Sequence, residues 1–295
     1  MGQVVLAAKV THVPSLMLSE REGPMKGKRD EAIAALKEIG RRARERGADT
    51  FVVFDTHWLS NFGFHMNANA RHAGLYTSHE APHMIRDLSY DYPGNPTLAD
   101  LIAQEASDAQ IEVLAHRVQS LPLEYGTIVP MHYMNADRSA KVLPVASPLF
   151  ASVEENRTFG EACRRAIARS DARVAVLASG SLSHKVLSNS QLGANQWDTM
   201  SSEFNRQMDL RVLELWGAGR YREFVGMLPE YATKCSGEAL MADTAMLFGL
   251  LGFYTVYRRS PRAYDLYVLS AFLVLTGVGS GLWHGLRDPF ALRYE

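Results

Sequence analysis

Ten histidines are spread through this sequence, and three of them share a setting. His12, His57 and His184 each follow a short apolar run that reads as a buried strand. In open α/β sheets, ligands bind beyond the carboxyl ends of the strands. Three imidazoles delivered there would converge on one crevice, suited to a metal ion or to proton transfer. Any one of them alone reads as a satisfied polar residue beside a turn, a reading that weakens when three share equivalent positions. Glu238 follows Gly237 at an expected helix start, and from spacing alone it reads as an acid favoured by the helix dipole. No P-loop, GxGxxG, GxSxG or HExxH motif occurs, so phosphoryl transfer, a Rossmann dehydrogenase and a nucleophile-elbow hydrolase have no support.

The elements that must position these residues alternate in type. Val4–Val10, Thr50–Phe54, Lys141–Val145 and Arg173–Ala178 read as strands, three of them apolar enough to be buried on both faces. Asp30–Arg46, Asn95–Ala106, Thr158–Arg169 and a stripe through Phe204, Met208, Val212 and Leu215 read as helices, and Glu238–Leu251 as one buried helix. This order predicts an α/β fold, a three-layer αβα sandwich around a mostly parallel central sheet. Residues 59–95, rich in His, Pro and Asn, read as long covering loops; His79 and His83 lie there and are candidates to line a substrate pocket. His65, His72, His116 and His132 are expected to be surface or packing residues.

Composition narrows the class. The net charge is −1 and no basic stripe appears, so nucleic acid is not an expected partner. Cys163 and Cys235 form no CxxC pair and no disulfide framework, which predicts a reducing, cytoplasmic setting. The amino-terminal residues do not read as a signal peptide. Leu266 to Trp283 is uncharged, but its Gly, Ser and Thr content argues against a membrane span.

Five segments occur in register: Thr11-His12-Val13-Pro14-Ser15, Phe54-Asp55-Thr56-His57-Trp58, Leu123 to Met131, Ala178 to His184, and Leu228-Pro229-Glu230-Tyr231 with Gly237-Glu238. Together they resemble the class III extradiol ring-cleavage dioxygenases, the superfamily of the protocatechuate 4,5-dioxygenase β subunit, and within it the homoprotocatechuate 2,3-dioxygenase branch. The resemblance covers residues 1 to about 253. It implies that His12, His57 and Glu238 hold a non-haem Fe(II), with Mn(II) suited to the same ligands, and that His184 is the active-site base. It also implies cleavage of 3,4-dihydroxyphenylacetate by O2 to 5-carboxymethyl-2-hydroxymuconate semialdehyde, in aromatic catabolism. Another catechol, such as protocatechuate, a dihydroxyphenylpropionate or gallate, would undergo the same chemistry. A competing reading is a zinc-binding, non-catalytic relative used for protein interaction. Relatives of this kind commonly assemble, so a homo-oligomer is expected.

Two departures stand out. Many relatives carry Asp-His-Gly where this chain has Glu124-Tyr125-Gly126, so Tyr125 is expected to serve as an auxiliary donor, with an ordinary pKa near 10. Asp55 is expected either to orient a ligand or to shape a local turn. The resemblance also ends early: residues 1–254 are expected to form a single catalytic domain, and 255–295 a divergent tail, translated out of frame or replaced.

Overall fold

The computed structural model describes residues 1–185, 190 and 201–252, and the backbone of 266–268. Its main sheet has the order β6-β3-β7-β2-β8-β1-β9. The strands are β1 (Gln3–Val10), β2 (Thr50–Ser60), β3 (Phe64–Asn67), β6 (Val113–His116), β7 (Lys141–Pro148), β8 (Arg173–Ser179) and β9 (Leu266–Val268). All neighbours pair in parallel except β3 with β7. The central trio is β2-β8-β1, and its register sets Phe54 beside Ala178 and Asp55 beside Ser179, with Val10 on the other side of Ser179.

Strand alternation sends side chains to two apolar layers. Leu6, Ala8, Val10, Phe51, Val53, Ala175 and Leu177 pack with α2 (Asp30–Glu45) and α4 (Tyr125–Met134). Ala7, Val52, Phe54, Val174, Val176 and Ala178 pack with α3 (Pro96–Asp108), α5 (Val153–Arg169) and α8 (Ala242–Leu251). A third cluster joins α6 (Glu203–Gly217), α7 (Tyr221–Lys234) and α8 through Trp216, Phe224, Tyr231 and Phe248. The molecule is thus the αβα sandwich that the alternating elements imply. The short α1 (Ser15–Ser19) directly follows the first strand end.

Three expectations are corrected. Residues 59–95 are not only loop: they contain β3 and a two-stranded ribbon of β4 (Arg71–Tyr76) and β5 (Leu88–Pro93). In β4 only His72 and Tyr76 are buried, so the apolar signal is too thin to read as a strand. The second strand runs on to Ser60 rather than stopping at Phe54, and its pairing with β7 breaks between Asp55 and Leu59. His57 therefore sits inside the irregular end of β2 and not beyond it. Finally, Glu238–Leu251 is not one helix. Ala239, Leu240 and Met241 all have positive φ, so a left-handed turn separates Glu238 from α8. Such backbone costs L-residues about 1–2 kcal/mol each and persists only where neighbours enforce it.

Among the described residues no helix is long and apolar enough to cross a membrane. The apolar run Leu266 to Trp283, apart from the backbone of its first three residues, lies outside them, as does most of 255–295.

Candidate metal centre

The carboxyl ends of β1, β8 and β2 meet under the first turn of α4, and the site forms there. His12, two residues past β1, is 3% exposed; Glu238 is 7% exposed. His57 is half-buried. One ligand atom from each of His12, His57 and Glu238 lies within 4.8 Å of the others. His12 Nε2 is 3.3 Å from Glu238 Oε1, and His57 Nε2 is 3.8 Å from the same oxygen. The two imidazoles meet edge to face, with centroids 4.8 Å apart.

A hydrogen-bond chain fixes how His12 is presented. Ser179 has one hydroxyl proton and donates it to the Gly126 carbonyl at 2.5 Å. Its 3.0 Å contact with His12 Nδ1 must then run the other way, Nδ1–H donating to Ser179 Oγ. The His12 Nε2 is thereby turned toward the Glu238 carboxylate; burial lowers the His12 pKa, but the charge and hydrogen bond of Glu238 outweigh it and raise that pKa above the ordinary imidazole value. The pair thus favours a positive charge between its members, a proton on Nε2 or a metal ion in its place, and the set of two imidazoles and one carboxylate suits a divalent metal with open positions. The donor chemistry of the site therefore fits a metal ion.

Glu238 is held from several directions. Its Oε1 accepts from Thr56 Oγ1 at 2.5 Å, its Oε2 accepts from the Ser181 amide, and its own N–H donates to Leu182 O at 3.1 Å. Burial alone would raise its pKa, but the charge and hydrogen bond of His12, with His184 and His57 adding to them, hold it well below the usual carboxylate range. Burial, then the nearby charge of His12, pushes His57 down to about 3. At neutral pH Glu238 is thus ionised and His57 neutral, the states that bind metal. Just below, Lys9 and Asp243 form a fully buried ion pair that ties β1 to the first turn of α8, next to the left-handed turn.

Asp55 shapes the backbone rather than a ligand ring. Its Oδ1 accepts from the amides of His57 (2.7 Å) and Trp58 (3.1 Å), and its Oδ2 accepts from Thr127 at 2.7 Å. This carboxylate holds the irregular end of β2 in shape. Gly126 is required beside it, because a Cβ there would lie 2.0 Å from Asp55 Oδ1.

The remaining candidates fall into two groups. Tyr125, at the start of α4, is buried, and its hydroxyl lies 2.5 Å from His57 Nε2 and against the Glu80 carboxylate. The Glu80 carboxylate accepts a hydrogen bond from the phenolic O–H, and burial followed by this carboxylate drives the Tyr125 pKa far upward, so the phenol keeps its proton. His184 is exposed, and its amide donates to Ser236 O at 2.8 Å. His79 and His83 are exposed in the segment between β4 and β5. From that segment it is Glu80 that touches the cluster, also lying 3.8 Å from His57 Nδ1. Sequence reasoning missed Glu80, Thr56 and Ser179. The only signal was their proximity to flagged residues. His72 is buried with Nε2 on Val142 O at 3.0 Å, a packing role as expected.

This assembly defines a metal-centred α/β enzyme. Residues 6–273 match the family described as the catalytic LigB subunit of aromatic ring-opening dioxygenase, and the chain belongs to that family. It is 49% identical over 256 residues to 3,4-dihydroxyphenylacetate 2,3-dioxygenase of Escherichia coli, covering 86% of this chain and 92% of that one. It is 24% identical over 250 residues to the 2-aminophenol 1,6-dioxygenase beta subunit of a Pseudomonas species, covering 80% and 82%. The crystal structure of an uncharacterized Escherichia coli K12 protein superposes with a TM-score of 0.53 at 16% identity, over 77% of this chain and 84% of that one, a likeness of fold.

Proposed function

We propose that this enzyme opens the ring of 3,4-dihydroxyphenylacetate with O2, giving 5-carboxymethyl-2-hydroxymuconate semialdehyde. The ion is Fe(II), held by His12, His57 and Glu238; Mn(II) fits the same ligands. The observation that carries the reading is the convergence of those three side chains in a chain half identical to an enzyme named for that substrate. The bound metal supplies a Lewis acid that gathers catechol and O2 and passes electron density between them.

The protein's own groups supply the rest. His184 takes a proton from a catechol hydroxyl, and its exposure leaves it open to arriving substrate. Tyr125 stays protonated, with its hydroxyl proton directed at Glu80 before substrate arrives, and serves as an auxiliary donor by turning that proton toward the bound substrate. His79 and His83 border the mouth of the site. Residues 1–254 form the catalytic unit and 255–295 a divergent tail; resequencing the coding DNA tests whether that tail is in frame. Both cysteines are free and buried, in keeping with a reducing cytoplasm. The beta-subunit relative favours assembly into an oligomer.

The test is direct. Protein loaded anaerobically with Fe(II) should form the yellow ring-opened product when given 3,4-dihydroxyphenylacetate and O2. His12→Ala and Glu238→Ala should lose iron, whereas His184→Ala should retain it and turn over roughly a hundredfold more slowly. Bound iron without turnover of any catechol would defeat the proposal.

A further inference from the structure

Asp209, on α6, is an acid with no accessible surface. An isolated buried carboxylate is costly, so its surroundings show what the fold uses it for. Its Oδ2 accepts the Ser183 hydroxyl at 2.7 Å, and its Oδ1 accepts the hydroxyl of Tyr231 on α7, itself 1% exposed. The Ser183 amide also bonds to it. Among the described residues its partners are these hydroxyls and this amide, not a cation. Burial raises the Asp209 pKa to about 6 while the Tyr231 and Ser183 donors pull it down, so at neutral pH it is a carboxylate.

What this carboxylate grips is the residue before His184. Ser183 pairs with Gly237 in an isolated antiparallel bridge, the His184 amide donates to Ser236 O, and the Glu238 amide donates to Leu182 O. One side of the 182–184 segment is therefore laced to the segment that ends in Glu238. The other side is held by Asp209. The His184 side chain is exposed, so its place relative to the metal cluster depends on this backbone support. A charge-assisted grip on both the main chain and the side chain of one residue restrains position more tightly than a single neutral bond.

We propose that Asp209, with Tyr231 holding its second oxygen, is a positioning residue for His184. This rests on the reading of His184 as the base. Asp209 touches none of His12, His57 and Glu238; because the 182–184 segment also braces Glu238 through Leu182 O, retained metal is the readout that separates positioning of His184 from a loosening of the whole site.

A double-mutant cycle on the Fe(II)-loaded enzyme tests this. Asp209→Asn should lower kcat about tenfold, and Tyr231→Phe a fewfold, with KM and bound iron unchanged. The Asp209→Asn/His184→Ala double variant should be no slower than His184→Ala alone, because a positioning residue has nothing left to position. If Asp209→Asn does not fold, the Tyr231→Phe cycle carries the same comparison. Multiplying effects in the double variant, or unchanged kcat in the folded single variants, would overturn the proposal while leaving His184 as the base. An unchanged kcat in His184→Ala would instead remove the base reading and this inference with it.

Discussion

Ser179 shows how much one hydroxyl can decide. Its proton goes to Gly126 O, so it can only accept from His12 Nδ1, and Nε2 is turned toward Glu238. Ser179→Ala removes that acceptor and frees the His12 ring to choose its tautomer. Metal affinity should fall roughly 10–100-fold, read by equilibrium titration with the metal, while the fold is retained. At this scale the sequence was readable in part. His12 and His57 stand out because each closes an apolar strand. Glu238 sits at an unremarkable helix start, and only the family resemblance marks it. Ser179, Thr56 and Asp209 could not be read at all, since each matters through a hydrogen bond to a residue far away in the chain, 182 positions in the case of Thr56 and Glu238.

The long elements were the most legible, because their apolar periodicity runs over many residues. Asp30–Glu45, Pro96–Asp108, β1 and β8 fall close to their expected bounds, whereas β2 outruns its apolar stretch. The start of α5 at Val153 was missed, although Ser152 and Glu155 form a capping box there. The break after Glu238 is invisible to periodicity, because a left-handed turn of ordinary residues is enforced by tertiary contacts and not by composition. Helix packing depends on residues that periodicity also ignores. A Cβ on Gly160 of α5 would lie 2.0 Å from Met246 O, and one on Gly249 of α8 would lie 2.2 Å from Arg157 O. Backbone touches backbone at this crossing. Gly160→Val should therefore destabilise the protein by about 1–3 kcal/mol, which in a chain of this size lowers Tm by about 2–4 °C per kcal/mol in a thermal melt.

Across the whole molecule, the three proposed ligands come from a strand end, an irregular strand and a left-handed turn, all seated on the central trio β2-β8-β1. A metal held by all three binds the folded chain and not the unfolded one. At a hundredfold excess over Kd, one site adds about 2.7 kcal/mol. Anaerobic Fe(II) should therefore raise Tm, a chelator should reverse the rise, and Glu238→Ala should abolish it. A calorimetric scan with and without metal checks all three.

The late place of Glu238 in the chain sets an order of events during synthesis. A ribosome delivers His12 and His57 long before the carboxylate that completes the set, and Ser183, which pairs with Gly237, must wait as well. The nascent chain can build β1, β2, β7 and β8 while offering an ion only two imidazoles. For the proposed ligand set, metal binding is then a late act of maturation that follows the building of the sheet on which the site sits.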